Sequence, residues 1–179
     1  MHALVSLFDE KHEKIIHSLW QELGVHCGLS SINTTPFPHF SWLIAEDFDW
    51  ERLDLEISDI SKSVGPFTIQ ATGLGIFAGP NPVLYIPIVR TAELSRIHQL
   101  VWEKILPIGK ELSPHYAPQN WMPHITLAFG ELSNQDLSCA LEKMAFRSID
   151  WQISVKNIAV GYQIPGTTSI IHHRHEFRQ

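Results

Sequence analysis

One five-residue pattern occurs twice in this chain and restricts its fold more than any other feature. The copies are Pro38-His39-Phe40-Ser41-Trp42 and Pro123-His124-Ile125-Thr126-Leu127, with their histidines 85 positions apart. Each reads proline, histidine, apolar, hydroxyl, apolar, and each follows a loop-like stretch. Strand side chains alternate between two faces, so residues i and i+2 share one. Each copy therefore predicts a strand with an imidazole and a hydroxyl on one face. Phe40 and Ile125, between them, point into a core. By the same alternation Phe40, Trp42 and Ile44 face one way and His39, Ser41 and Leu43 the other.

The elements around the copies echo one another. A buried strand is expected at 2–8. A helix follows at about 10–24, where Ile15, Ile16, Leu19, Trp20 and Leu23 recur at helical spacing and Gly24 suits the end. Residues 30–38 are a loop rich in Ser, Asn, Thr and Pro. The first motif strand spans 39–46. A second helix at about 50–64, capped by Asp49, carries Leu53, Ile57, Ile60 and Val64 on one stripe. Strands at about 67–77 and 83–89 flank the breaker Gly79-Pro80-Asn81-Pro82. Thr91 caps a third helix at 92–106, which Pro107 ends or bends. A proline-containing loop at 113–123 leads to the second motif strand, 124–129. Ser133-Asn-Gln-Asp136 loosely matches a capping box for a fourth helix bearing Leu137, Leu141 and Met144. Two last strands fit at about 149–160 and 168–176. The order β-α-β-α-β-β, then α-β-α-β-β, predicts an α+β chain of two similar lobes, interleaved around one cleft in a single domain over 1–179.

Composition narrows the partners. Nineteen acidic and 13 basic residues leave a net charge of -6 with histidine neutral. That excludes coating of long nucleic acid by a basic face, but not a short anion held by a few local donors. Cys27 and Cys139 show no metal-ligand spacing and read as ordinary thiols in a reducing compartment. Met1 to Phe8 is a short apolar run broken by Asp9, Glu10 and Lys11, unlike a signal peptide. No apolar stretch approaches the roughly 20 residues of a membrane span. The expectation is a soluble, cytoplasmic protein with no membrane association and no obligate protein partner.

Two such strands facing each other across a cleft would bring two imidazoles and two hydroxyls together. Phosphodiester cleavage needs a base for the attacking oxygen and an acid for the leaving one. Histidine, with an ordinary pKa of about 6.5, serves as either near neutrality. Ser41 and Thr126 can donate to the non-bridging phosphate oxygens, where charge accumulates. No metal or cofactor is required. With 11 histidines in the chain, a single His-x-Ser means little; two copies in matching contexts carry the reading.

The paired motifs resemble those of the 2H phosphoesterase superfamily, named for two His-x-Ser/Thr signatures. The resemblance is greatest to its 2′-5′ RNA ligase branch, which includes RNA 2′,3′-cyclic phosphodiesterases. Trp121-Met122-Pro123-His124-Ile125-Thr126-Leu127-Ala128 is very similar to that branch's second signature. Gly65 to Phe77 resembles the strand between its lobes, and the likeness spans about residues 1–165. It implies a bilobed fold with a pseudo-two-fold axis and a central cleft. It further implies His39 and His124 as the acid-base pair, Ser41 and Thr126 as phosphate binders, and opening of a 2′,3′-cyclic phosphate to a 2′-phosphate. Water would be the nucleophile, with His124 as base and His39 as acid, and reverse 2′-5′ ligation is a further implied activity. Several RNA-acting members place an arginine after the second motif, where this chain has Ala128-Phe129-Gly130. That points to a nucleotide or small cyclic phosphate as much as to an RNA terminus.

Other aromatic and charged residues have plain packing roles as alternatives. Tyr116 and Trp121, in the loop before the second motif, are candidates for stacking on a base. Alternation puts Trp42 and Phe129 opposite the catalytic face, in the core, and Tyr85 is a weak pocket candidate. Arg90, Arg96 and Arg147 read as solvated charges before phosphate ligands. His172-His173-Arg174-His175 could suggest a metal, but no carboxylate or cysteine spacing supports it. Glycines 73, 75 and 79 lack dinucleotide-loop spacing. The alternative to an enzyme is a nucleotide-binding module of the same fold with little or no turnover.

Overall fold

The computed structural model describes residues 1–29, 35–162 and 166–178. Strands are β1 (His2–Leu7), β2 (His39–Ala45), β3 (Asp47–Phe48), β4 (Phe67–Thr72), β5 (Gly75–Phe77), β6 (Val83–Pro87), β7 (Gly109–Lys110), β8 (His124–Ala128), β9 (Asp150–Val155), β10 (Asn157–Tyr162) and β11 (Ile170–Glu176). Helices are α1 (Glu10–Cys27), α2 (Trp50–Ser63), α3 (Ala92–Ile105) and α4 (Asn134–Met144). All strand pairing is antiparallel.

The expected echo between the halves is present. One sheet runs β11-β10-β1-β2, with α2 and α3 packed on it. The other half comprises β4-β9 and β5-β6-β8, tied by an Ala71–Ile88 bridge, with α1 and α4 alongside. Strands are interleaved in sequence, because β1 and β2 pair with β10 from the far end of the chain. The two motif strands, β2 and β8, come from different halves and lie against each other.

Caps act where short polar side chains were expected. Asp49, Thr91 and Ser133 each accept from a first-turn N–H, and Ser133 and Asp136 form a reciprocal capping box. α1 continues past Gly24 to Cys27 and stops at Gly28, whose φ of 70° is the left-handed conformation glycine tolerates. The stretch 67–77 divides into β4 and β5 around Gly73, φ 78°. The stretch 149–160 likewise divides, with β9 pairing to β4 and β10 to β1.

Two further expectations are corrected. Cys27 and Cys139 are not separate thiols: they form a disulfide across 112 residues, joining the end of α1 to α4. Helix packing makes that pairing, and sequence spacing carries no trace of it. The argument for a reducing compartment built on these residues therefore falls. Among the described residues, no helix is long and apolar enough to cross a membrane.

The second correction concerns strand faces. β2 alternates only as far as Trp42. Val5 pairs with Ser41 and Leu4 with Leu43, so Trp42 is an extra residue, a β-bulge. Beyond it the faces exchange: Leu43 is buried and Ile44 turns to the cleft. β8 repeats this one residue after its own hydroxyl. Tyr85 pairs with Thr126 and Leu84 with Ala128, leaving Leu127 as the extra residue. Ala128 is then buried, while Phe129, expected in the core, packs half-buried against it and also lines the cleft.

Candidate active site

β2 and β8 present His39, Ser41, His124 and Thr126 to one cleft of about 930 Å³. The size suits a small-molecule site. The four residues are half-buried, while Phe40, Trp42, Ile125 and Leu127 behind them are buried. Both histidines are oriented in the same way. The Nδ1–H of His39 donates to the Phe37 carbonyl at 2.8 Å, and that of His124 to the Met122 carbonyl at 2.6 Å. In each case the acceptor lies two residues earlier, so the neutral ring carries its proton on Nδ1 and leaves Nε2 as the free base. Burial pushes both imidazoles below the ordinary histidine value, against the pull of the carbonyl bond. For His39 the charge of His124, on the same cleft, pushes further in the same direction.

The hydroxyl positions are held from behind by two indoles. Trp121 Nε1 donates to the Ser41 carbonyl at 3.0 Å, and Trp20 Nε1 donates to the Thr126 carbonyl, also at 3.0 Å. Both carbonyls immediately precede a bulged residue, where regular ladder pairing is interrupted. Trp121 is 1% exposed and stacked on His98 at 3.8 Å and on Trp42 at 5.6 Å. It lines the cleft, and its indole N–H supports the Ser41 carbonyl. His98, locked between Trp121 and the Trp42 carbonyl, is held down to about 4 by burial. Tyr116 does line the cleft. Burial drives its hydroxyl up to about 12, against the opposing pull of the Ser41 side chain.

Aromatic rings flank the histidines. Phe77 and Tyr85 stack at 4.1 Å and meet the His124 ring at 4.9 and 5.2 Å, while Phe37 meets His39 at 5.4 Å. Phe37 and Phe77 escape a reading of the sequence; an aromatic two residues before the motif histidine is the only signal for Phe37.

The charged candidates lie elsewhere. Arg90 donates to the carbonyls of Trp121 and Pro118 and sits 5.8 Å from the Trp121 ring centre, bracing the loop before β8. Arg147 pairs with Glu22. His173 and His175 direct ring nitrogens at Asp54, at 3.2 and 2.9 Å. Among the described residues no set of three or more His, Cys, Asp or Glu side chains is arranged to hold a metal ion.

Comparison with known proteins agrees with this geometry. A curated Bacillus cereus protein bearing a provisional phosphoesterase name is 25% identical over 128 residues, 72% of this chain and 70% of that protein. A Bacillus licheniformis protein with the same kind of name is 28% identical over 108 residues, 60% of this chain and 59% of its own length. The fold matches the crystal structure of TT0787 from Thermus thermophilus (TM-score 0.68, 15% identity, 99% of this chain and 97% of that one). It also matches Escherichia coli LigT complexed with 3′-AMP (TM-score 0.63, 12% identity, 99% and 98%). The family model of the 2′-5′ RNA ligase superfamily matches residues 33–163, which include both histidine motifs, and the chain belongs to that superfamily, the 2H phosphoesterases.

Proposed function

We propose that this protein is a metal-independent phosphodiesterase that opens a 2′,3′-cyclic phosphate to a 2′-phosphate. The observation that carries the reading is the matched pair of imidazoles on one cleft, each with Nδ1 tied to a carbonyl two residues back. Nε2 is thereby the working nitrogen on both sides. A neutral Nε2 takes a proton from water as its oxygen bonds to phosphorus. The P–O3′ bond breaks, and the departing 3′ oxygen takes the proton held on the other imidazole. Charge gathering on the non-bridging oxygens is met by the Ser41 and Thr126 hydroxyls. His124 serves as base and His39 as acid by resemblance. With a 5′-hydroxyl in place of water, the same base and acid form a P–O5′ bond as the P–O3′ bond breaks, which gives a 2′-5′ linkage, and the reverse of that step cleaves one. The substrate is an RNA terminus or a nucleotide, handled within a single domain without a bound cofactor.

The test is turnover of a nucleoside 2′,3′-cyclic phosphate with the product phosphate position determined. His39→Ala and His124→Ala each lower kcat at least 10²-fold. Full activity in either variant removes the assignment. Binding without turnover in the native protein supports the nucleotide-binding module instead. Sulfur in place of the leaving oxygen needs no acid, so it rescues only the variant lacking the acid.

A further inference from the structure

The paired bulges do more than interrupt two strands. A bulge re-aims the side chains that follow it. Here both fall three residues after the motif histidine, and both turn the residue at position five into the cleft: Ile44 after His39 and Phe129 after His124. Each of these is apolar. Phe129 joins Ile76, Phe77, Val83 and Tyr85 in lining the cleft. This gives an apolar surface beside His124, whose own ring already meets Phe77 and Tyr85. The basic side chains among the described lining residues are all histidines: His2, His39, His115 and His124. Burial lowers the first, second and fourth of these.

A strand of several phosphates is gripped by permanent cations, and its affinity falls steeply with salt as counterions are released. A wall of rings and aliphatic side chains grips a base or another apolar group instead, with little salt dependence. Resting on the cyclic-phosphodiesterase reading above, we propose that Phe129, re-aimed by the Leu127 bulge, is a specificity-determining residue. It holds the non-phosphate part of the ligand with Phe77 and Tyr85, so the cleft takes a compact ligand with one phosphodiester and one base. Phosphates upstream in a longer strand contribute little.

The test compares three cyclic phosphates: a nucleoside 2′,3′-cyclic monophosphate, a trinucleotide ending in that group, and glycerol 1,2-cyclic phosphate, which has no base. In the native protein the mononucleotide and the trinucleotide have KM values within about threefold, and 1/KM falls with salt at a logarithmic slope of about 0.7, one phosphate's worth. Phe129→Ala raises KM for the mononucleotide roughly 5- to 100-fold, the range of a lost stacking contact. It leaves the glycerol compound unaffected. Phe129→Leu restores most of the loss, and thermal melting of each variant verifies folding. A trinucleotide more than tenfold tighter with a slope near 2, or equal effects of Phe129→Ala on all three ligands, overturns the proposal while the reaction stands. If none is turned over, the reaction reading fails. The same proposal is then judged by calorimetric Kd values for the three compounds, with the same ratios expected and the same ratios fatal.

Discussion

Trp121→Phe and Trp20→Phe separate support of the site from support of the fold. Each replacement keeps an aromatic ring and deletes one donor, the indole N–H that meets the Ser41 or Thr126 carbonyl at 3.0 Å. A buried carbonyl left without a partner costs about 1–3 kcal/mol. The lost half of the indole leaves a void worth about another 1–2 kcal/mol, scaled from complete removal of such a ring. Trp121, 1% exposed and stacked on both His98 and Trp42, takes the full sum of about 2–5 kcal/mol; Trp20, at 7%, sits lower. For a chain of this size that lowers Tm by about 4–20 °C. The carbonyl and the hydroxyl belong to one residue, so a strand that relaxes there also moves the group proposed to donate to phosphate. Displacement by about 1 Å can cost up to 10²-fold in rate. The expected outcome, measured well below each variant's Tm, is a 10- to 100-fold lower kcat with smaller changes in KM. A variant that loses the stability yet keeps kcat within twofold shows that the indoles serve packing alone.

The proposed acid-base pair sets the expected pH response. Both imidazoles are held below about 6.5 by burial, and the reaction needs one protonated and one neutral, so kcat/KM rises as pH falls below 7 and then drops when the second ring charges. An optimum above pH 7 in a kcat/KM profile contradicts the lowered values. These rings and His98 stay neutral in the fold while the unfolded chain takes up protons near pH 6.5, so thermal stability falls as pH drops from about 6.5 toward 4. The Cys27–Cys139 bond closes a long loop, and its reduction removes about 2–4 kcal/mol, lowering Tm by about 4–16 °C. Two titratable thiols in the unreduced protein, or identical melts with and without reductant, would refute the pairing.

The motif is legible because imidazole, hydroxyl and apolar spacer are a local pattern of period two. The same reasoning locates the caps at Asp49, Thr91 and Ser133, where a short polar side chain precedes an apolar stripe. It fails where the period itself changes. Nothing in Trp42-Leu43-Ile44 or Leu127-Ala128-Phe129 announces an extra residue, since a bulge is fixed by the partner strand's register. Strict alternation therefore assigns Ile44 and Phe129 to the wrong faces, and it shows only half of the wall beside His124, through Tyr85. Trp121 is ambiguous for a related reason. A tryptophan in a loop before a site can serve a ligand or the core, and the contacts of Trp121 with His98, Trp42 and the Ser41 carbonyl come from distant segments that no local pattern displays. The disulfide depends on how α1 and α4 pack, a contact between distant segments that no spacing rule encodes.

The two halves supply the same parts in the same order: a histidine tied to a carbonyl two residues back, a hydroxyl, an extra residue, and an indole from elsewhere on the hydroxyl's carbonyl. Such a pair, left symmetric, has no means of deciding which imidazole activates water and which protonates the leaving oxygen. The decision has to come from the way a ligand lies between them. The surroundings are unequal in the required sense, because Phe77 and Tyr85 crowd His124 while His39 meets Phe37. In the proposed reaction a base resting on the aromatic side would orient the ring of the cyclic phosphate, and with it the scissile bond, relative to the two nitrogens. Acid and base are then properties of the bound complex. On the proposed reading, the residues lining the walls take part in that choice along with the histidines.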